Sequence, residues 1–205
     1  MKLITILSAA CLLLVSCIGI EIETTINADG SGEGYTRTKI SQMFFAMGDN
    51  DASLDIPMNL ADVQAAYGNT PGITVLDVDE INTEEDKIII TRIKFDGANN
   101  LEGAGVFDGT VLRQERGTTY FSVVLKDGYV PEDDEEEQPS PEEQEMMRPF
   151  FEGYTFSYVL NAPKRITYHS LGELSADRRS VRYEIDMFDY NLIMDKEPLV
   201  LEVRW

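Results

Sequence analysis

From Leu199 to Trp205 the odd-numbered positions Leu199, Leu201, Val203 and Trp205 are all apolar. From Val181 to Met187 the odd positions are again apolar, and the even ones, Arg182, Glu184 and Asp186, are charged. Side chains along an extended strand point to opposite faces in turn, so this alternation describes strands with one buried and one solvated face. Antiparallel sheets tolerate water on one side; all-parallel sheets are covered on both and read as continuous apolar runs. A chain built this way has to make an amphipathic sheet. Tyr154 to Leu160 follows the same rule, with Phe156, Tyr158 and Leu160 on one face, and Ile166 to His169 is a shorter candidate. The last two segments share a phase, with Asp189 to Pro198 as a return between them. That predicts that they pair, with Trp205 in the core.

Upstream, the strands come in hairpins. Ile20 to Asn27 and Gly34 to Ile40 flank Ala28-Asp29-Gly30-Ser31-Gly32, whose Asp-Gly and further glycines can take the positive φ of a tight turn. Ile73 to Ile81 and Lys87 to Phe95 flank Asn82 to Asp86, and Val111 to Arg116 turns at Gly117 into Thr118 to Lys126. Helices are few. Asn59 is placed to cap a helix with Leu60, Val63 and Tyr67 on one face, ending at Gly68 or Asn69. Ser140-Pro141-Glu142-Glu143 carries a capping hydroxyl, a proline at the first helical position and a glutamate at the third, and Pro149 limits that helix to about two turns. Ser41 to Met47 and Asn99 to Gly103 are shorter candidates. Hairpins with helices between them, and no βαβ alternation, predict an α+β domain on a mainly antiparallel sheet.

The N-terminus has another character. After Lys2, residues Leu3 to Val15 are apolar except for Thr5 and Ser8. That is shorter than the roughly 20 residues a membrane span needs, and it fits the apolar region of a secretory signal. The run ends in Leu14-Val15-Ser16-Cys17, which resembles the lipobox of bacterial lipoproteins. The resemblance implies cleavage between Ser16 and Cys17, a diacylglyceryl group on the Cys17 sulfur, and acylation of the new amino group. Residues 1–16 are then a signal peptide and residues 17–205 one domain, anchored through lipid on Cys17 on the non-cytoplasmic side of a membrane. With Ile18 rather than aspartate after Cys17, the destination implied in a two-membrane envelope is the outer membrane. Cys11 leaves with the signal and Cys17 carries lipid, so no thiol remains for a disulfide, a zinc site or a nucleophile. An apolar core has to hold the fold.

Seventeen basic residues face 37 acidic ones, for a formal net charge of −20. Such a surface disfavours nucleic acid and anionic membranes as partners, since both reward Lys and Arg. Membrane contact is therefore expected through the lipid, with the acidic body held off. The densest run, Glu132 to Glu137 before Gln138-Pro139, has nothing to bury and reads as a mobile insertion at about residues 127–140.

Few residues offer chemistry. His169 is the single histidine, which excludes a two-histidine metal site and leaves a serine triad only through that residue. Ser170, its neighbour, points to the opposite face in a strand. Gly103-Ala104-Gly105 to Gly109 has the wrong spacing for a dinucleotide loop. Asn27-x-Asp29-x-Ser31-Gly32 and Asp49-x-Asp51-x-Ser53-x-Asp55 place oxygens at alternate positions as a Ca²⁺ loop does. An EF-hand wants glycine at position 6 and glutamate at 12, and neither run has both.

The early Asp29-Gly30-Ser31-Gly32 hairpin, Lys87 to Phe95 leading to Leu101, Tyr154 to Pro163 and the closing strands together resemble the LppM-type domain of bacterial lipoproteins. That resemblance implies an α+β envelope domain and carries no reaction or catalytic residue with it. The expectation is a lipid-anchored, non-enzymatic envelope protein that binds a partner or ligand, with no cofactor. A Ca²⁺-binding module is the alternative, and an envelope enzyme with an unidentified site comes third.

Overall fold

Local turn chemistry joins neighbouring strands of this chain into hairpins. The computed structural model describes residues 18–46, 56–128, 140–193 and 197–205. In the first turn the Asn27 N–H donates to the Ser31 carbonyl at 2.7 Å, and Gly30 takes φ +87°. This pairs β1 (Ile18–Ile26) with β2 (Gly32–Ser41) over their full length, from Ile18 opposite Ile40 to Ile26 opposite Gly32. A short helix, α1 (Gln42–Ala46), follows. In α2 (Leu60–Tyr67) the Asn59 side chain accepts from the Ala61 and Asp62 N–H groups. The hairpin of β3 (Ile73–Asn82) and β4 (Asp86–Phe95) comes next. The strands β5 (Val111–Glu115) and β6 (Thr118–Lys126) join through Arg116 and Gly117, both at positive φ, which twists a two-residue turn with its strands. The capping box of Ser140 and Glu143 is formed at the start of α3 (Pro141–Met147), and a 3-10 turn over Arg148–Phe151 follows at Pro149. The chain closes with β7 (Thr155–Asn161), β8 (Tyr168–His169), β9 (Glu173–Leu174), β10 (Ser180–Asp186), α4 (Met187–Asn191) and β11 (Leu199–Arg204).

Two sheets result, and the α+β reading holds. The larger runs β3-β4-β2-β1-β7-β10-β9, and the smaller β5-β6-β11-β8. Pairing among the described residues is antiparallel except between β1 and β7. Ile20 and Ile22 on β1, Ile40 on β2, Ile89 and Ile93 on β4 and Leu160 on β7 are buried, as are Phe121 and Val123 on β6 and Leu201 and Val203 on β11. These faces form one core. Tyr190 bridges the sheets: its ring stacks on Phe156 of the larger at 4.6 Å, and its hydroxyl donates to the Leu125 carbonyl of the smaller at 2.7 Å. Phe107 lies so close to β2 that a Cβ on Gly34 would come 2.7 Å from its ring. Gly34 is a strand residue whose missing side chain admits a phenylalanine.

Three local expectations change. The strand Val181 to Met187 stops at Asp186, because its carboxylate caps the Phe188 N–H at 2.8 Å and Met187 opens a helix. That helix turns the chain out of the larger sheet, so Leu199 to Trp205 pairs with β6 and β8, not with Val181 to Met187. Leu60 is exposed, leaving Val63 and Tyr67 as the buried face of α2. Trp205 is buried as expected, its N–H and carbonyl both bonded to the backbone of Thr119.

Candidate functional site at the Ile18 end of the large sheet

Cys17, the Asp49 to Asp55 run and the acidic run Glu132 to Glu137 lie outside the described residues. The other residues singled out above do not come together, and each is engaged locally. His169 is half-buried opposite Val203, with Nδ1 3.1 Å from the Leu171 carbonyl. The Ser170 hydroxyl donates to the Val200 carbonyl and accepts from the Glu202 N–H, a link between strands and not a nucleophile aimed at a base. In the first hairpin, Asp29 Oδ1 accepts from both the N–H and the hydroxyl of Ser31, and these bonds hold its carboxyl below the usual range. The Asn27 amide donates to the same Ser31 hydroxyl. Two of the oxygens spaced like Ca²⁺ ligands, Asp29 Oδ1 and the Ser31 hydroxyl, are thus engaged within the turn. Between Gly103 and Gly109 the Asp108 carboxylate accepts from both glycine N–H groups and closes a tight loop. Among the described residues no group of three or more metal-ligating side chains converges.

The residues that do gather on the surface surround the start of β1. Ile18 is buried opposite Ile40, and Ile40 is paired in turn with Lys87. Gly19 lies against the backbone of Tyr154 and Thr155, so closely that a Cβ there would come 3.3 Å from the Thr155 nitrogen. Around this point, Tyr154 donates its hydroxyl to Asp86 Oδ1 at 2.8 Å, and Lys39 Nζ lies 3.4 Å from Asp86 Oδ2. Lys39 also sits over the Tyr154 ring at 4.6 Å. A buried carboxylate is tolerable only when paired and hydrogen-bonded, and Asp86 is both. The trio ties the start of β4, the end of β2 and the approach to β7 around Ile18.

The same end carries α3 and α4. Phe151 packs edge-on against Phe188 at 5.2 Å, and the Arg148 guanidinium lies over the Phe188 ring at 4.4 Å and 3.8 Å from Asp189. Met147 and Phe151 are buried there, yet their neighbours Met146 and Phe150 are 67% and 45% exposed. Met43 on α1 and Ile81 near the end of β3 are also exposed, at 51% and 45%. The signal for this surface was in the sequence: in Met146-Met147-Arg148-Pro149-Phe150-Phe151 the apolar residues are doubled at a spacing of four. One helical face can bury only one member of each pair.

Among the described residues no helix is long and apolar enough to cross a membrane. The sequence matches no protein-family profile and no curated protein. Among solved structures the chain is similar to the folded domain of LppM from Mycobacterium tuberculosis, determined by NMR. The identity is 10% and the TM-score 0.45, over 92% of this chain and 88% of that one.

Proposed function

We propose that this chain is a lipoprotein of the cell envelope, held to a membrane by acyl chains on Cys17, and that its folded part is a non-enzymatic binding domain. The observation that carries this reading is the Leu14-Val15-Ser16-Cys17 sequence after an apolar run of signal length, placed directly before the first residue of β1. One acyl chain binds membranes only marginally, whereas two or more hold stably, so a diacylated Cys17 suffices as an anchor. Supporting a binding role over catalysis, the side chains with chemical potential are occupied in turns and strand links: His169 at Leu171, Ser170 between strands, and Asp29 with Ser31.

Metabolic labelling with a tagged fatty acid tests the anchor. The wild-type chain takes up label and runs at the size of residues 17–205, while Cys17→Ser stays uncleaved and unlabelled. Label in the Cys17→Ser chain would sink the assignment.

A further inference from the structure

We propose that the Ile18 end of the domain is a bilayer-contact face, with Met43, Ile81, Met146 and Phe150 seated at the headgroup–acyl boundary of a zwitterionic lipid surface. The proposal rests on acylation of Cys17 and adds to it an orientation and a second attachment. Single exposed apolar residues are ordinary on a protein surface; a group of them at one end is not. Of the eight large hydrophobic side chains exposed among the described residues, four lie at this end. Strand register places them there. Ile81 pairs with Ile88, one step along β4 from the Lys87 that faces Ile40, and Ile40 faces Ile18. Met43 lies two residues beyond Ser41, the last residue of β2. Met146 and Phe150 belong to the segment whose Phe151 packs on Phe188, two residues after the Asp186 that pairs with Thr155.

The tether fixes the occupant. Ile18 is fully paired and buried, so no linker separates the acylated residue from the sheet. Consecutive Cα atoms are about 3.8 Å apart, which holds this end within one residue of the headgroups. An amphipathic surface kept that close engages the interface at a high effective concentration, and such surfaces bury about 5–10 Å into it. Arg148 lies between Met146 and Phe150 along the chain, but Glu84 and Glu85 are exposed in the β3–β4 turn at the same end. Those carboxylates oppose an anionic surface and select uncharged, zwitterionic headgroups. The acidic body is thus not held clear of the bilayer at this end; its apolar rim meets it.

The test uses the full chain, acylated in a bacterial host and reconstituted into phosphatidylcholine vesicles carrying bromine on the acyl chains. Loss of Cys11 with the signal and acylation of Cys17 leave no free thiol, so Met146→Cys, Phe150→Cys and Ala28→Cys each accept one environment-sensitive fluorophore. Ala28 is exposed in the turn at the opposite end of β1, nine residues or about 30 Å away. Emission at positions 146 and 150 is expected to shift to the blue and to be roughly halved by the brominated lipid, as for a group seated in the interface. Emission at position 28 should not respond. Fatty-acid labelling and flotation of the same preparations report the anchor separately. A labelled, floating protein with no quenching at either 146 or 150, or equal quenching at 28, overturns the contact face and leaves the anchor intact. Absence of fatty-acid label overturns both.

Discussion

Thr24 and Tyr158 are both fully buried on adjacent, parallel strands, and their hydroxyls lie 2.9 Å apart. Neither has water to fall back on, so the bond matters mainly through what its loss leaves behind. A net intramolecular hydrogen bond contributes about 0.5–1.5 kcal/mol, but one buried partner left unsatisfied costs about 1–3 kcal/mol. Tyr158→Phe should therefore destabilise by about 1–3 kcal/mol, and Thr24→Val should do the same. The double variant should lose clearly less than the sum, because both polar groups are then gone. Denaturant melts of the four proteins check this, and strict additivity would show that the two hydroxyls do not depend on each other. The period of Tyr154 to Leu160 announced that Tyr158 faces inward; nothing near it in sequence announced Thr24, which is 134 residues away. Gly34 is a similar case. It read as the first residue of a strand, and its actual role, admitting Phe107, depends on a ring 73 positions later that only the folded chain brings near. The exposed Met146 and Phe150 were legible in principle from their doubled spacing, but that Phe151 is the member of its pair that turns inward follows from its packing on Phe188 of another helix.

At the scale of elements, the three upstream hairpins were readable from their local turn chemistry, whereas the β9–β10 hairpin, turning through Ser175 and Asp177, and the long-range pairings were not. Alternation tells which face of a strand is buried and is silent about its neighbour. Hence β1 beside β7 in parallel was invisible, and β11 was assigned to the wrong strand although its buried face was correct. The five-residue α4 escaped notice because Met187 continues the alternation of β10 in phase. The actual place of β11 makes the C-terminus more important than a hairpin edge would be. It lies between β6 and β8, so removing Leu199 to Trp205 takes one neighbour from β6, leaves β8 without its sheet partner, and deletes the buried Leu201, Val203 and Trp205. At about 1.5–3 kcal/mol for each large apolar side chain, the loss is on the order of 5 kcal/mol or more. That approaches the whole of a typical domain stability of about 5–15 kcal/mol. The truncated chain should therefore lack a cooperative thermal transition, and a melt close to that of the intact protein would mean the smaller sheet stands without its inner strand.

For the whole molecule, the core that replaces disulfides is also one that disfavours high pH. Tyr67 and Tyr158 are buried and Tyr190 is half-buried against the core, and desolvation pushes their phenols well above the usual tyrosine value. In the unfolded chain each ionises near pH ~10, as an ordinary tyrosine does. Their contribution is thus complete below pH ~10 and declines as pH rises beyond it, because the unfolded state releases protons that the folded state keeps. Each such residue gives a slope of about 1.4 kcal/mol per pH unit, so three together give about 4 kcal/mol per unit. Lys126 works the other way. Its amine reaches the Tyr190 and Asn191 carbonyls from a half-buried position, and burial lowers its pKa, so the folded state releases that proton first and regains part of the loss. Three groups outweigh one. With a total stability of about 5–15 kcal/mol, the protein should unfold cooperatively within a few pH units above 10. Absorbance at 295 nm counts tyrosinate, and Trp205, the single tryptophan, is buried and reports unfolding. The late-ionising tyrosines should appear together with the Trp205 transition, in one step. If all nine tyrosines titrate smoothly while Trp205 emission stays unchanged, water already reaches these phenols and the core around Phe156 and Tyr190 opens without unfolding.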